Sequence, residues 1–373
     1  MPTDVAPLQS MCAQALDCYV KSTRGAAPYH LSAWRDAITA AYGHHAIGSV
    51  ATRGAATRRG ERHGQSEVSG MLAAVQLRHW LFGKRYVSMP FCDWTGILAD
   101  DEKTECRLLR NVLLDAQVQR IGFIELRQNR PLVLAQAPAG SIDIEGTSWT
   151  FSDANSDNKV RMLLDLPDDA DALMRGFRSK LRSQIRKPFK EGLVVRRGGR
   201  NLVTDFYRVF AENMRDLGSP VHSCRLLEEV VDRFGEHAQV FVVYGAGLPI
   251  AGSVTLGLGE VLCNPWASAL RRHVERAPNM MLYWAMLEFA CENGYRRFDF
   301  GRSTANEGTY RFKEQWGAHP EPIYWYRFVR GERLAEPVVS AKGRLSWAMN
   351  GWKHLPVSVT RVMGPIIRRH ISL

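Results

Sequence analysis

The chain has 373 residues, 45% of them hydrophobic and 23% charged, an ordinary globular balance that leaves room for two domains and a sizeable core. Its net charge of +11 attracts polyanions such as nucleic acid, anionic lipid or phosphorylated substrates, with a solvated basic surface as the alternative. Seven cysteines without a C-x-x-C pair argue against a disulfide framework or zinc cluster and fit reduced thiols in a cytoplasmic protein.

Residues 1–27 read as a loosely attached arm. The stretch carries Asp4 early and no basic n-region, so a signal peptide is not expected. From Tyr29, the spacing of Trp34, Ala37, Ile38 and Ala41 predicts a helix with Ser32 as N-cap. HHAIGSVA reads as a strand, TRGAATRRGERHGQSE as a long basic loop, and VSGMLAAVQLRHWLFGKRYVSMP as two strands joined near Gly83. A helix follows over 104–120, then the strand IGFIELRQ. SWTFSDANSDNKVRMLLDLP closes this first unit with a strand ending at Pro167.

A second unit repeats the order. PDDADALMRGFRSKLRSQIRKPF and LVTDFYRVFAENMRDLG are helical, and QVFVVYGAGLPIAGSVTLGLGEVLCNPWASA reads as a three-strand meander. NMMLYWAMLEFACENG predicts an amphipathic helix capped by Asn279 and ended by Gly294. RRFDFG is a strand, TYRFKEQWG one or two helical turns, and PIYWYRFV a last strand. Helix, meander, helix and strand in each half make an α+β order rather than an alternating βαβ one. Residues 337–373 form an acid-free tail of cations interleaved with Trp347, Trp352, Val362, Ile366 and Ile367. No apolar run reaches the 18 residues of a membrane span.

GYRRFDFGRSTANEGTYRFKEQWGA resembles the C-terminal signature of FemAB-like proteins of the GNAT superfamily, especially the branch associated with exosortase (PEP-CTERM) and exopolysaccharide loci. MRDLGSPVHS, LRSQIRKPFKEG and MPFCDWTGIL resemble its other landmarks, in order from about Trp34 to the tail. The resemblance implies two tandem GNAT-like (acyl-CoA N-acyltransferase type) domains, each a mixed, mostly antiparallel sheet flanked by helices. They would span 28–166 and 167–336, the second carrying the catalytic signature. It also implies transfer of an acyl or aminoacyl group from acyl-CoA or aminoacyl-tRNA, as co-substrate, to an amine on a saccharide or lipid-linked envelope precursor. Pro188 departs from the family pattern and is expected to shorten its basic helix.

In TYRFKEQWG, helical spacing puts Tyr310, Lys313 and Glu314 on one face and Phe312 and Trp316 on the other. An ammonium fixed at Lys313 would stabilise the oxyanion formed when an amine attacks an ester or thioester carbonyl, and the Tyr310 phenol would relay a proton. A solvated helix face is the alternative. Asp299 alternates with Phe298 and Phe300, and would act as base or simply pair with Arg302, the reading we favour. Arg182 and Arg186, with Arg178 and Lys187, present a cationic face for phosphate or tRNA, or a solvated one. Ahead of the long helix stand Arg271, Arg272 and Asn279 but no glycine-rich loop for a CoA pyrophosphate. Asn264 and Trp266 would line an acyl channel or form a packed strand-end turn. His222, Arg215 and, in the first unit, Trp94 are the remaining substrate-side candidates. No Walker loop, G-x-S-x-G, H-E-x-x-H or dinucleotide fingerprint is present, so ATP, metal and NAD chemistry have no foothold.

The function expected is therefore an acyl- or aminoacyl-transferase of the envelope or exopolysaccharide, cytoplasmic, with the basic tail either in peripheral inner-membrane contact or packed on the C-terminal domain. The competing readings are a non-catalytic protein that binds RNA or anionic glycan through the 53–62 loop and the 175–190 helix, and a scaffold without activity.

Overall fold

A computed structural model describes residues 3–54, 67–79, 83–134, 139–153, 158–331 and 349–372. Most of the basic loop at 53–62 and the tail residues up to 348, with Lys342, Arg344 and Trp347, lie outside the described residues. In chain order the strands are β1 (Thr3–Pro7), β2 (His45–Arg53), β3 (Glu67–His79), β4 (Gly83–Val87), β5 (Ile97–Ala99), β6 (Phe123–Gln128), β7 (Ala139–Ile144), β8 (Thr147–Asp153), β9 (Lys159–Asp165), β10 (Val194–Gly198), β11 (Ala238–Gly245), β12 (Leu248–Leu258), β13 (Val261–Ala269), β14 (Arg297–Thr304), β15 (His319–Pro322) and β16 (Tyr324–Arg330). The helices are α1 (Ala13–Ser22), α2 (Ser32–Tyr42), α3 (Glu102–Val118), α4 (Ala170–Gly176), α5 (Ser179–Lys190), α6 (Val203–Asp216), α7 (Cys224–Phe234), α8 (Pro278–Glu292), α9 (Gly308–Glu314) and α10 (Val357–Arg368).

The fold is α+β, with two mixed sheets flanked by helices. One sheet runs β1-β2-β3-β4-β6-β16-β8-β7 with β5 on β3; the other runs β10-β11-β12-β13-β14-β9-β15. Each sheet has one parallel pair among antiparallel neighbours, β4 with β6 and β13 with β14. The sheets exchange strands at their ends. β9, expected to close the first unit, pairs with β14 and β15, while the last strand β16 pairs with β6 and β8. Both strands are short and mostly apolar, which suits either sheet, so the sequence pattern does not choose between them.

The N-terminal residues are not a loose arm. β1 pairs with β2, and α1 buries Leu16, Tyr19 and Val20. Its Asp17 accepts from the backbone N–H and hydroxyl of Ser32, so Ser32 opens α2 rather than capping it. α1 and α2 cover one face of the first sheet, and α6 and α7 one face of the second. These four helices enclose a core common to both halves, in which Trp34 stacks on Trp266 with ring centroids 5.4 Å apart. Burial of that shared apolar surface makes the two halves one packed unit.

α8 is buried all round rather than amphipathic: Met280 to Leu287 are all inaccessible. A helix apolar on every side belongs inside, and this one fills the second core. Its cap is Ala277, with φ of 54°, followed by Pro278 at the first helical position, so Asn279 is not the cap. Pro188 does not shorten α5, which runs on to Lys190. Proline removes one N–H and crowds the carbonyl four residues back, and in a last turn with Leu181, Ile185 and Pro188 itself buried, packing tolerates that loss. Among the described residues no helix is long and apolar enough to cross a membrane.

Candidate active site

The site begins where β13 and β14 part. They are in parallel register only at Val261 with Arg297, Leu262 with Phe298 and Cys263 with Asp299, and both strands then continue separately. Gly301 sits in the opening with φ of 73°, a left-handed conformation open to glycine at no steric cost. A Cβ there would lie 3.1 Å from Asp93 Oδ2, so the backbone needs a bare Cα at this approach.

Asp93 arrives from the other half. The first sheet's parallel pair also parts, and the loop 88–96 fills that opening. The Ser88 N–H donates to the Glu125 carbonyl, and Arg127 N–H donates to the Ser88 hydroxyl. Continuing outward, the loop sets Asp93 against β14: the backbone N–H of Arg302 donates to Asp93 Oδ2 at 2.9 Å, and the Arg302 Nε stands 3.6 Å from Oδ1. Trp325 of β16 donates its indole N–H to the Asp93 carbonyl at 3.1 Å. The guanidinium carbons of Arg127 and Arg302 each lie 4.9 Å from its ring centroid.

α9 then delivers Lys313. Its side chain turns inward, is 7% exposed, and donates to the carbonyls of Gly301 at 3.0 Å and Arg302 at 2.8 Å. An ammonium has three N–H donors, and these bonds use two of them. Burial pulls its pKa down to about 8, against the opposing pull of Asp93 and Asp299. Tyr310, one turn earlier, is half-buried against the second core, and Glu314 is exposed.

Asp299 does not pair with Arg302. Its Oδ2 accepts from Arg161 Nε at 2.7 Å and its Oδ1 from the Gly301 N–H at 2.8 Å, while Cys263 Sγ stands 3.9 Å away. The reason is the strand exchange: β9 lies beside β14 and brings Arg161 next to Asp299, while Arg302 turns to Asp93. Arg161 also covers the ring of buried Trp94, 4.5 Å from its centroid. Tyr29 is buried in the same field, its phenol pushed well above the usual range by burial first and then by Cys263, Asp299, Cys92 and Asp93.

Asn264 and Trp266 stand inside β13 rather than at a strand-end turn. Asn264 is buried and accepts from the Ser253 hydroxyl at 2.8 Å, and Trp266 is held in the common core. His222 is 1% exposed, beyond the reach of solvent in a cleft. One ring nitrogen meets the Tyr42 hydroxyl at 3.1 Å, and Arg368 Nε donates to the other at 3.1 Å. Burial, then the Arg368 charge, hold its pKa well below the ordinary value, so it is neutral. Arg215 bonds Asp216 and the Leu355 carbonyl.

The structure thus gathers Lys313, Asp299, Arg302, Asn264 and Trp94, and leaves the other candidates elsewhere. Arg182 donates to the Arg175 and Phe177 carbonyls at the C-terminal end of α4, and Arg186 is exposed. A cavity of about 860 Å³ lies between α4, α5 and the far side of α9, lined by Phe177, Lys180, Arg311 and Trp316 but by neither Tyr310 nor Lys313. Arg271, Arg272 and Asn279 are exposed at the start of α8, where Arg272 pairs with Glu212 and Arg276 donates to the Glu191 carbonyl. Pro278 has no N–H there, and the Met280 N–H is taken by the Ala277 carbonyl. These residues do not form a glycine-loop cradle for a CoA pyrophosphate.

Sequence reasoning missed Arg161, Arg127, Tyr29 and Trp325. The available signal was an arginine in the middle of an apolar strand, once in LRQ and once in VRMLL, where a buried charge calls for a partner.

The family described as acetyltransferase (GNAT) domain matches residues 175–314, which hold α5 through α9. Residues 175–314 are thus similar to a GNAT acetyltransferase domain, and the splayed β13–β14 pair and Lys313 lie within that stretch. A lipid II:glycine glycyltransferase of Staphylococcus haemolyticus (strain JCSC1435) is 27% identical over 129 residues, which are 32% of this chain and only 29% of that relative. The crystal structure of FemX has the same fold, with a TM-score of 0.64 over 92% of this chain and 100% of that one at 14% identity. A C-terminal domain assigned to a lysylphosphatidylglycerol synthetase from Agrobacterium fabrum superposes with a TM-score of 0.52 over 85% of this chain and 90% of its own, at 11% identity. The architecture is accordingly two tandem GNAT-like domains.

Proposed function

We propose that this chain transfers an acyl or aminoacyl group from an activated ester or thioester to an amine on a cell-envelope or exopolysaccharide precursor. The observation that carries the reading is the Lys313 ammonium, buried at the parting of β13 and β14 inside the matched stretch, with two of its N–H groups bonded to carbonyls. The glycyl transfer named for the staphylococcal relative supports an aminoacyl group and a lipid-linked acceptor. The donor is an aminoacyl-tRNA or an acyl-CoA. The absence of a glycine-loop cradle at α8 favours the former.

In this reading the amine attacks the donor carbonyl, a C–N bond forms, and the ester or thioester oxygen or sulfur departs. Lys313 donates its third N–H to the oxyanion that develops, in a place where water competes little. The amine's proton ends on the leaving group; Tyr310, half-buried against the second core and away from these residues, is given no part in that transfer. Asp299 serves as a positioning residue: it holds the Gly301 N–H, and with it the two carbonyls that fix Lys313.

Cations around the site outnumber carboxylates. Arg127, Arg161, Arg302 and Lys313 surround Asp93, Asp299 and Glu125. Arg85, Arg327 and Arg368 also contribute to the local field. That excess suits an acceptor carrying phosphate or carboxylate.

The test incubates the full chain with labelled aminoacyl-tRNA or labelled acyl-CoA and lipid-linked or nucleotide-linked saccharide acceptors, followed by mass spectrometry of the product. Transfer from either donor supports the reading. A folded chain that transfers nothing, yet binds RNA or glycan through α5, replaces it with the binding-protein reading.

A pH dependence follows. If the ammonium is the working form, the rate is flat at low pH and falls tenfold per unit as pH rises beyond about 8. Lys313→Arg is expected to retain part of the rate and remove that limb. The same shift affects stability. The folded value lies below the ordinary 10.5, so the protonated side chain is a cost that is fully present below about 8. The cost is relieved as pH rises from about 8 to 10.5, where the folded form loses its proton first. A rate limb that stays unchanged in Lys313→Arg would assign the titration to another group.

A further inference from the structure

We propose that the outer face of α10 is a docking surface for an anionic lipid bilayer. α10 seats itself through Thr360 and Gly364, both buried. A Cβ on Gly364 would come within 3.0 Å of the Val221 backbone nitrogen, so glycine sets how closely the helix approaches. Arg368 turns inward to His222, and Arg361 lies over the Tyr207 ring at 5.5 Å. These contacts fix the rotation of the helix and send the opposite face outward.

That outward face is apolar. Val359, Val362, Met363 and Ile366 follow the i, i+3, i+4, i+7 spacing of one helical stripe and are 38%, 68%, 45% and 61% exposed. A helix resting on a globular protein ordinarily turns polar residues to water, so this stripe lacks a partner among the described residues. The fold holds the stripe in place. The His44 ring meets the Arg369 carbonyl at 2.8 Å, Arg85 donates to the His370 carbonyl, and the Phe91 N–H donates to the Ser372 carbonyl.

Charge chooses the occupant. Arg369 is exposed beside the stripe, Lys353 is exposed just ahead of the helix, and residues 337–373 contain no Asp or Glu, in a chain of net charge +11. A second copy would press two cationic, acid-free surfaces together. An anionic headgroup layer satisfies the cations while its acyl boundary takes up the stripe. Twelve residues make a helix about 18 Å long, too short to span, so it lies in the plane of the surface. The inference rests on the transferase reading only in that it would bring the site to a lipid-linked acceptor; the binding itself needs no substrate.

The test sediments the full chain with phosphatidylcholine vesicles, with and without phosphatidylglycerol. The chain should pellet with the phosphatidylglycerol vesicles, and added salt should release it. V362D/I366D should bind at least about tenfold more weakly, with an unchanged thermal melt and unchanged transfer to a water-soluble acceptor. Three results would overturn the proposal: wild type left in the supernatant, a double variant that binds as wild type does, or a wild-type dimer that the double variant dissociates. Because binding is read without donor or acceptor, a chain that transfers nothing leaves this result standing, and the reverse also holds.

Discussion

Lys313→Met is expected to lower kcat/KM by about 10²–10³-fold, the usual cost of losing one donor to a developing oxyanion. The stability should hardly change. Methionine keeps the unbranched shape of the side chain, one atom shorter, and removes a charge that burial disfavours, which offsets the loss of its bonds to the Gly301 and Arg302 carbonyls. Orphaning buried carbonyls costs about 1–3 kcal/mol each at most, and loop carbonyls beside a partly open site can turn to water. Steady-state kinetics with either donor, alongside a denaturant unfolding curve, separates the two effects. If activity falls only as far as the folded fraction falls, Lys313 is a structural staple and the catalytic assignment is wrong.

The helices were legible because each packs one face, and a periodic apolar stripe reports that face directly. α6 with Phe206, Val209 and Phe210, and α7 with Leu226, Leu227, Val230 and Val231, follow this rule. α8 was legible as a helix but not as the buried one, because its apolar residues surround the axis instead of forming one stripe. The exchange of β9 and β16 could not be read, because a short, mostly apolar strand carries no label for its sheet. Everything at the site that depends on that exchange was equally hidden. Asp299 was visible as a buried carboxylate in need of a cation, and the nearest arginine in sequence, Arg302, was the natural choice. The true partner stands 138 residues away. Lys313 was legible for a different reason: its placement relative to Trp316 is local, and three residues on a short helix suffice to separate the buried indole from the polar side chains. Even so, the sequence did not foresee that Lys313 would turn inward while Glu314 beside it stayed in water.

That hidden pair carries the second large expectation. Arg161→Met should destabilise the protein by about 3–5 kcal/mol, because it strands the Asp299 carboxylate in a buried place with only the Gly301 N–H and a distant thiol to face it. Surface ion pairs carry no such cost, since water replaces the lost partner. Here the two side chains are 8% and 4% exposed, so water cannot. The guanidinium also covers the Trp94 ring, and its loss opens the seam between loop 88–96 and β14. The carboxylate, rather than the missing contact, should be the main source of the cost. Arg161→Met combined with Asp299→Asn should therefore recover most of the lost stability, as the amide still accepts from Gly301 without a buried charge. Chemical denaturation of the wild type, both single variants and the double variant measures this coupling. If the double variant is no more stable than Arg161→Met alone, the stranded carboxylate is not the source of the cost, and the packing of Arg161 on Trp94 is what matters. In either case Lys313 should lose alignment in Arg161→Met. The carbonyls that fix Lys313 belong to Gly301 and Arg302, and the Gly301 N–H is anchored on the carboxylate that Arg161 holds, so kcat should fall more than KM rises.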